Sequence, residues 1–307
     1  MKETNERQGE RGAKEDAGRK PAHDTMQLTH ATHRNPHTSK VVDNADWLKT
    51  AAIISVAVGH FGYFFIEDDR WWSVFGRLAA PIFFFLLGYA QSRTVPHRWI
   101  WLGIILTLLE SWNAHWTWVA PNILLSFAFI RIARPYVQIL VQRHGWAAFA
   151  LLVFALFIAL PIAEKIADYG AEGWLWALFG LYQRMYVDGR SATDAGGAAQ
   201  GSSPPAQTMI EKVRRMRLLA CFIAAVVYVW QEQREYSFPR IHLAVFILEV
   251  CVLSPSLCLF RRGPSRIQPP EAIAVPLRFI GRRTLEIYAV QLGGSELLVK
   301  LFPGLAP

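Results

Sequence analysis

Sulfur chemistry has little to draw on in this 307-residue chain, which holds three cysteines, Cys221, Cys251 and Cys258, all inside apolar stretches. So few thiols exclude a disulfide scaffold, and no pair has the spacing of a thiolate zinc site, so they read as small core residues. No Gly-rich phosphate loop, serine nucleophile elbow or HExxH helix occurs. The N-terminus lacks the apolar core of a signal peptide, so no cleavage is expected there. Charge is also scarce, at 18% of residues, against 52% hydrophobic and 13% aromatic. Twelve Trp and nineteen Phe at that charge density exclude an ordinary soluble domain and point to a chain solvated by lipid.

What charge there is has a pattern. Residues 1–46 carry sixteen charged side chains, eight of each sign, and almost no branched apolar or aromatic residue. Such a tail cannot bury enough surface to offset its ordering entropy and reads as disordered. His30, His33 and His37 within it have helical spacing, but Pro36 interrupts them and no metal site is expected. A second polar stretch, 188–216, is rich in Gly, Ala, Ser and Pro, ends in a basic cluster, and reads as a flexible linker. It divides an apolar part at 47–187 from another at 217–307.

Within these parts, nine apolar runs are each near the length of a bilayer crossing. They cover 48–66, 74–91, 99–112, 116–133, 146–163, 173–187, 217–231, 240–260 and 284–302. The expected fold is therefore an all-α, polytopic transmembrane bundle of about nine spans. Alternate loops differ in charge: the even-numbered ones hold seventeen Lys or Arg, the odd-numbered ones four. By the positive-inside rule this puts the N-terminus in the cytoplasm and the C-terminus outside, in a bacterial-type cytoplasmic membrane. Tryptophans at both sets of span ends fit aromatic belts. The net charge of +8 is thus a topology signal. Each basic cluster flanks a span, no nucleic-acid motif appears, and nucleic acid is excluded as a partner.

Polar residues inside the runs need a partner or a role, because an ionisable group in the bilayer costs about 2.5 kcal/mol or more. His60 lies twelve residues into the first run, on a helix narrowed by Ser55, Gly59 and Gly62. An imidazole, with an ordinary pKa of about 6.5, suits general-base work or a packing hydrogen bond. Arg77 begins the second run at a similar depth, where it can offer a fork of donors to an anion or snorkel to the interface. Glu110 and Asn122 end the third run and enter the fourth, an orienting carboxylate and a hydrogen-bond donor. Glu249, in the eighth run, and Glu286, Tyr288 and Gln291, in the ninth, are further candidates for substrate contacts. The residues alone leave three readings open: an enzyme, a small secondary transporter using Glu249 and Glu286, or a non-catalytic membrane assembly protein.

The segments Leu48-Lys49-Thr50-Ala51-Ala52-Ile53, Gly59-His60-Phe61-Gly62 and Gly76-Arg77-Leu78-Ala79-Ala80-Pro81-Ile82-Phe83-Phe84-Phe85-Leu86-Leu87-Gly88 resemble the TraX family. Fainter similarity recurs at Asn122-Ile123-Leu124-Leu125, at Tyr169-Gly170-Ala171-Glu172-Gly173 and at Ile287-Tyr288-Ala289-Val290-Gln291-Leu292. The resemblance implies an integral membrane acetyltransferase, tied to acetylation of the conjugative pilin N-terminus and related to type-3 acyltransferases that modify glycan hydroxyls. It implies acyl-CoA as co-substrate with no permanently bound cofactor, and His60, Arg77 and Asn122 as the catalytic set. The basic residues Arg214, Arg215, Arg217, Arg282 and Arg283 are expected to meet the CoA phosphates. The chain departs from the family pattern at Gly59, where an acid usually precedes the histidine, and at Gln291, where a histidine is frequent.

Overall fold

The computed structural model describes residues 41–66, 69–92, 94–196 and 204–302. The histidines at 30, 33 and 37, and the tail up to residue 40, lie outside the described residues. Among those described, every extended element is a helix, and the β contact present is an isolated bridge between Asp43 and Pro264. The helices are α1 (Asn44–Phe65), α2 (Arg70–Gly76), α3 (Ala79–Tyr89), α4 (His97–Asn113), α5 (Ile123–His144) and α6 (Trp146–Ile166). They continue as α7 (Gly170–Gly196), α8 (Pro204–Tyr236), α9 (Arg240–Leu259), α10 (Glu271–Arg282) and α11 (Thr284–Leu301). Among the described residues, five stretches are long and apolar enough to cross a membrane: α1, the joined α2–α3, α5, α6 over Trp146–Ala163, and α9.

The centre is α7, which packs on α3 on one side and α8 on the other. Close approach there depends on missing side chains. A Cβ on Gly88 would run into the Ala177 carbonyl, and one on Gly180 into the Phe85 carbonyl, so α3 and α7 meet backbone to backbone. In lipid, where apolar burial between helices gains little, such small-residue contacts drive association. Phe84, Phe85, Trp176, Phe179, Tyr182 and Tyr228 fill the surrounding space with almost no exposure. Helix α1 lies against α2, α3, α10 and α11, and α4 bridges α5 and α11. Helix α6 is peripheral. It buries Ala148, Phe149 and Leu160 and leaves Leu151, Phe154, Phe157, Ile158 and Ile162 exposed.

Each of the nine apolar runs falls on a helix, but several boundaries differ from the sequence expectation. The first helix starts inside the expected tail, because Asp43 caps Ala45 and the Asp46 side chain bonds the Asp43 N–H in a capping box. The fourth run does not start at 116. His115 and Trp116 have φ of 55° and 60°, left-handed values that stop a helix, and Asn122 instead caps α5 by accepting from the Leu124 N–H. Asn122 therefore begins its helix instead of lying six residues inside it. At its far end α5 passes Pro135, reaches His144 and turns through one residue, Gly145 (φ 54°), into α6. Arg134 and Arg143, which lie beyond the end of the fourth run, are consequently helical.

The stretch 188–216 is helical at both ends, with only 197–203 outside the described residues. Ion pairs one turn apart, Arg184–Asp188 and Glu211–Arg215, support those extensions, and Pro204 at the first position of α8 needs no hydrogen-bonded N–H. One helix had no counterpart in the run count. Helix α10 is short and amphipathic, burying Ala274, Leu277 and Gly281 while Ile273, Val275 and Phe279 stay exposed. Finally, the second run is broken at Arg77–Leu78. Pro81 has no N–H to offer the Arg77 carbonyl four residues back, so the helix restarts there as α3.

Candidate functional site

That break builds the site. Helix α1 crosses it at Gly59, where a Cβ would lie 2.9 Å from the Gly76 Cα, and the converse Cβ on Gly76 would collide with Gly59. The Ser55 hydroxyl pins the crossing by sharing its one proton between the Phe75 carbonyl (2.6 Å) and the Gly76 carbonyl (2.9 Å). The residues that follow the two glycines, His60 and Arg77, are thereby brought to the wall of one cavity of about 710 Å³. His60 packs its ring beside Phe64 and Tyr288, at centroid distances of 6.2 and 5.9 Å, and its Nδ1 has no hydrogen-bond partner among the described residues. The Tyr288 hydroxyl accepts from Asn122 Nδ2 at 3.3 Å, so the α5 cap and α11 meet beside the imidazole.

Arg77 is held from several sides. Its Nη1 donates to the Tyr169 hydroxyl (2.9 Å), its Nε lies 3.4 Å from Glu232 Oε2, and its guanidinium stacks 4.1 Å from the Tyr236 ring centre. The carbonyl that Pro81 leaves unbonded accepts instead from the Tyr228 hydroxyl at 2.6 Å. Tyr169 itself adopts φ 55°, an uncommon conformation for a non-glycine residue, in the turn that starts α7. The Asp168 N–H in the same turn donates to the Pro121 carbonyl (3.2 Å), and the Asp168 carbonyl accepts from Ser126 (3.1 Å), which ties the turn to the α5 start. Burial pushes the Asp168 carboxyl up to about 6, against the lowering pull of the Arg77 charge.

The cavity has two chemically distinct ends. Around His60 and Arg77 it is lined by Glu110, Asn122, Asp168, Tyr169, Tyr288 and Glu296. At the other end it is lined by Lys49, Arg98, Arg131, Arg262 and Arg282. Along α1, Lys49 and His60 are separated by about 16 Å at 1.5 Å per residue, and Arg98 and Glu110 on α4 by about 18 Å. Lys49 donates to the Gly281 carbonyl (3.1 Å), Arg98 pairs with Glu286, and Arg131 bonds the Ser92 carbonyl (3.2 Å) beneath the Trp99 ring. These contacts hold the charged heads themselves, with the Arg98 guanidinium paired to the Glu286 carboxylate on the same cavity wall.

Of the residues singled out in the sequence, His60, Arg77, Glu110, Asn122, Tyr288 and Arg282 line this cavity, as does Glu286. Gln291 and Glu249 do not. Glu249 is half-buried on α9, with Oε2 lacking a hydrogen bond. Arg214 and Arg215 are exposed and paired with Glu211, and Arg283 is exposed over the Phe279 ring. Arg217 is buried among α7, α8 and α9, where it donates to Gln183 and stacks on Tyr186. Lys49, Arg131 and Arg262 occupy span-flanking or family-matched positions, and apolar run length does not single out Asp168, Glu232, Tyr236 or Glu296. Tyr228, Glu232 and Tyr236, spaced by four, were a visible signal of one polar stripe on α8.

A family model described as TraX protein matches residues 44–250, which run from the first residue of α1 to the middle of α9. The chain belongs to the TraX family. Among curated relatives, an Escherichia coli Protein TraX is 27% identical over 189 residues, covering 59% of this chain and 63% of that protein. The Protein TraX of Escherichia coli strain K12 is 26% identical over 147 residues, covering 46% of this chain and 56% of its own. The aligned part thus spans about three fifths of the length of these relatives. No solved structure matches. The TraX match includes His60, Arg77, Asn122, Asp168 and Glu232, whereas Arg282 and Tyr288 come from α10 and α11 beyond it.

Proposed function

We propose that this TraX-family chain is an integral membrane acyltransferase that moves an acetyl or acyl group from acyl-CoA to an acceptor amine or hydroxyl. The acceptor classes are a pilin N-terminus and a glycan hydroxyl. The observation that carries the reading is one cavity joining an imidazole whose Nδ1 has no hydrogen bond among the described residues and a clamped guanidinium to a cluster of basic residues about 16 Å away along α1. In this reading the helices cross the bilayer nine times with the N-terminus in the cytoplasm, α10 lying at the inner surface. Every apolar run on a helix and the excess of basic residues in alternate connections support that arrangement. The mouth formed by Lys49, Arg98, Arg131, Arg262 and Arg282 then faces the cytoplasm and receives the CoA phosphates, and the extended pantetheine arm carries the thioester towards His60.

Chemistry follows from the geometry. His60 takes the proton of the acceptor amine or hydroxyl as that group attacks the thioester carbonyl. The oxyanion that develops lies against Arg77, whose charge is pre-oriented by Glu232, Tyr169 and Tyr236. Asn122, through Tyr288, orients the wall beside His60. Collapse breaks the carbon–sulfur bond, and the departing thiolate recovers the proton from the imidazolium. Incubation of membranes containing the protein with radiolabelled acetyl-CoA, followed by identification of the labelled product, tests the proposal. Label transfer is expected from wild type and lost from His60→Ala. Full transfer by purified, folded His60→Ala protein would refute the mechanism.

A further inference from the structure

We infer that Glu232 is a positioning residue for this acyl transfer, an inference that rests on the reading above. From α8, it fixes where the Arg77 guanidinium points. Glu232 is 1% exposed and sits in a helix that belongs to a different part of the chain, 155 residues from the arginine. An acid in such a place has a high cost unless an opposite charge meets it, and Arg77 Nε is that charge, 3.4 Å away. The neighbours of Glu232 one turn to either side act on the same residue. Tyr228 takes up the Arg77 carbonyl freed by Pro81, and Tyr236 covers the guanidinium face.

One stripe of α8 therefore grips Arg77 by its backbone, its inner nitrogen and its planar face, while Tyr169 binds Nη1. Among the described residues Nε is held by the ion pair without a hydrogen bond and Nη2 has no hydrogen bond at all, which leaves Nη2 as a donor open to a reacting oxygen. An arginine side chain has many rotamers, and a donor that must reorganise during reaction stabilises a transition state less than one already aimed. Loss of the Glu232 charge leaves the backbone anchor in place but lets the guanidinium turn. The effect belongs in kcat, because the cationic mouth that meets the CoA phosphates is untouched.

The test measures initial rates of label transfer from acetyl-CoA by wild type, Glu232→Gln, Glu232→Asp, Arg77→Lys and the Glu232→Gln/Arg77→Lys double variant, each checked for folding by its detergent elution profile. Expected are a fall in kcat of about 10- to 100-fold for Glu232→Gln with KM for acetyl-CoA within about twofold, partial recovery in Glu232→Asp, and little further loss when Glu232→Gln is added to Arg77→Lys. Wild-type kcat in Glu232→Gln, a change confined to KM, or full additivity in the double variant overturns the positioning role while leaving the acyltransferase reading intact. Absence of transfer from wild type overturns that reading, and the positioning role with it. Where Glu232→Gln does not fold, Tyr236→Leu removes one side of the grip without stranding a charge. It is expected to lower kcat at constant KM, and wild-type kcat there overturns the inference equally.

Discussion

The glycine crossing between α1 and the α2–α3 junction sets up a sharp comparison between two alanine variants. In Gly59→Ala the new Cβ lies 2.9 Å from the Gly76 Cα, against roughly 3.5–4.0 Å for an unstrained carbon–carbon contact. The opposing atom is backbone, so the helices must part by at least about 0.6 Å, a distortion of the overpacking kind that costs about 1–3 kcal/mol. In Gly294→Ala, on α11, the new Cβ meets nothing within 4 Å. Both changes gain about 1 kcal/mol of helix propensity, so the difference between the variants isolates the crossing, at about 2 kcal/mol. Thermal unfolding in detergent should place Gly59→Ala roughly 4–8 °C below Gly294→Ala, with Gly294→Ala at or slightly above wild type. Label transfer should fall in Gly59→Ala alone, because the parting shifts His60 relative to Arg77. Two variants that melt within a degree of each other would show that the close approach is not what holds these helices together. The same contact accounts for glycine here in place of the acid expected before the histidine, since any longer side chain meets Gly76 sooner.

Other outcomes follow from the same geometry. Ser55→Ala removes the one donor shared by two carbonyls at the α2–α3 junction and should cost about 1–3 kcal/mol, read as an earlier midpoint in denaturing-detergent titration. The Asp168 carboxyl, raised from 3.8 to about 6, binds more protons in the folded than in the unfolded state between those values, so its contribution is present below about pH 4 and is lost as pH rises through about 6. Asp168→Asn should therefore flatten the decline in melting temperature across that window, and an unchanged slope would contradict the assignment. Replacing Arg262 and Arg282 together by glutamine should raise KM for acetyl-CoA by about tenfold and weaken its salt dependence, with kcat within about twofold. An unchanged KM would remove those two residues from the phosphate site.

Periodicity and apolar length were enough to find the helices that carry His60 and Tyr288 and the run that holds Arg77, because a bilayer demands long apolar runs and tolerates few polar intruders. What they could not show is which faces meet. Arg217 and Arg282 look alike as span-flanking cations, yet one is buried against Gln183 and Tyr186 and the other faces the cavity. Asn122 was recognised as polar, but its role as a cap depends on the left-handed residues before it, His115 and Trp116, which no apolar count reveals. Glu232 escapes a count of apolar runs because it lies just past the 217–231 run among polar residues, where exposure is the ordinary expectation. Only the gap left by Pro81, filled by Tyr228 one turn before it, shows why α8 turns that edge inward. The stretch 188–216 misled for the opposite reason: small residues suggested a linker, while ion pairs four apart carried the helices into it.

Helix α6 has a practical consequence. It joins α5 through Gly145 alone and buries little of itself against protein, so what holds its outer face is the solvent around it, chiefly acyl chains. Extraction replaces those chains with shorter, mobile ones, and α6 is then the first element to lose its place. Because α6 packs on α7 and the turn between them holds Tyr169, loosening there is transmitted to the Arg77 clamp. Preparations in lipid nanodiscs should accordingly retain activity that the same protein loses in short-chain detergent, with no residue of the cavity altered.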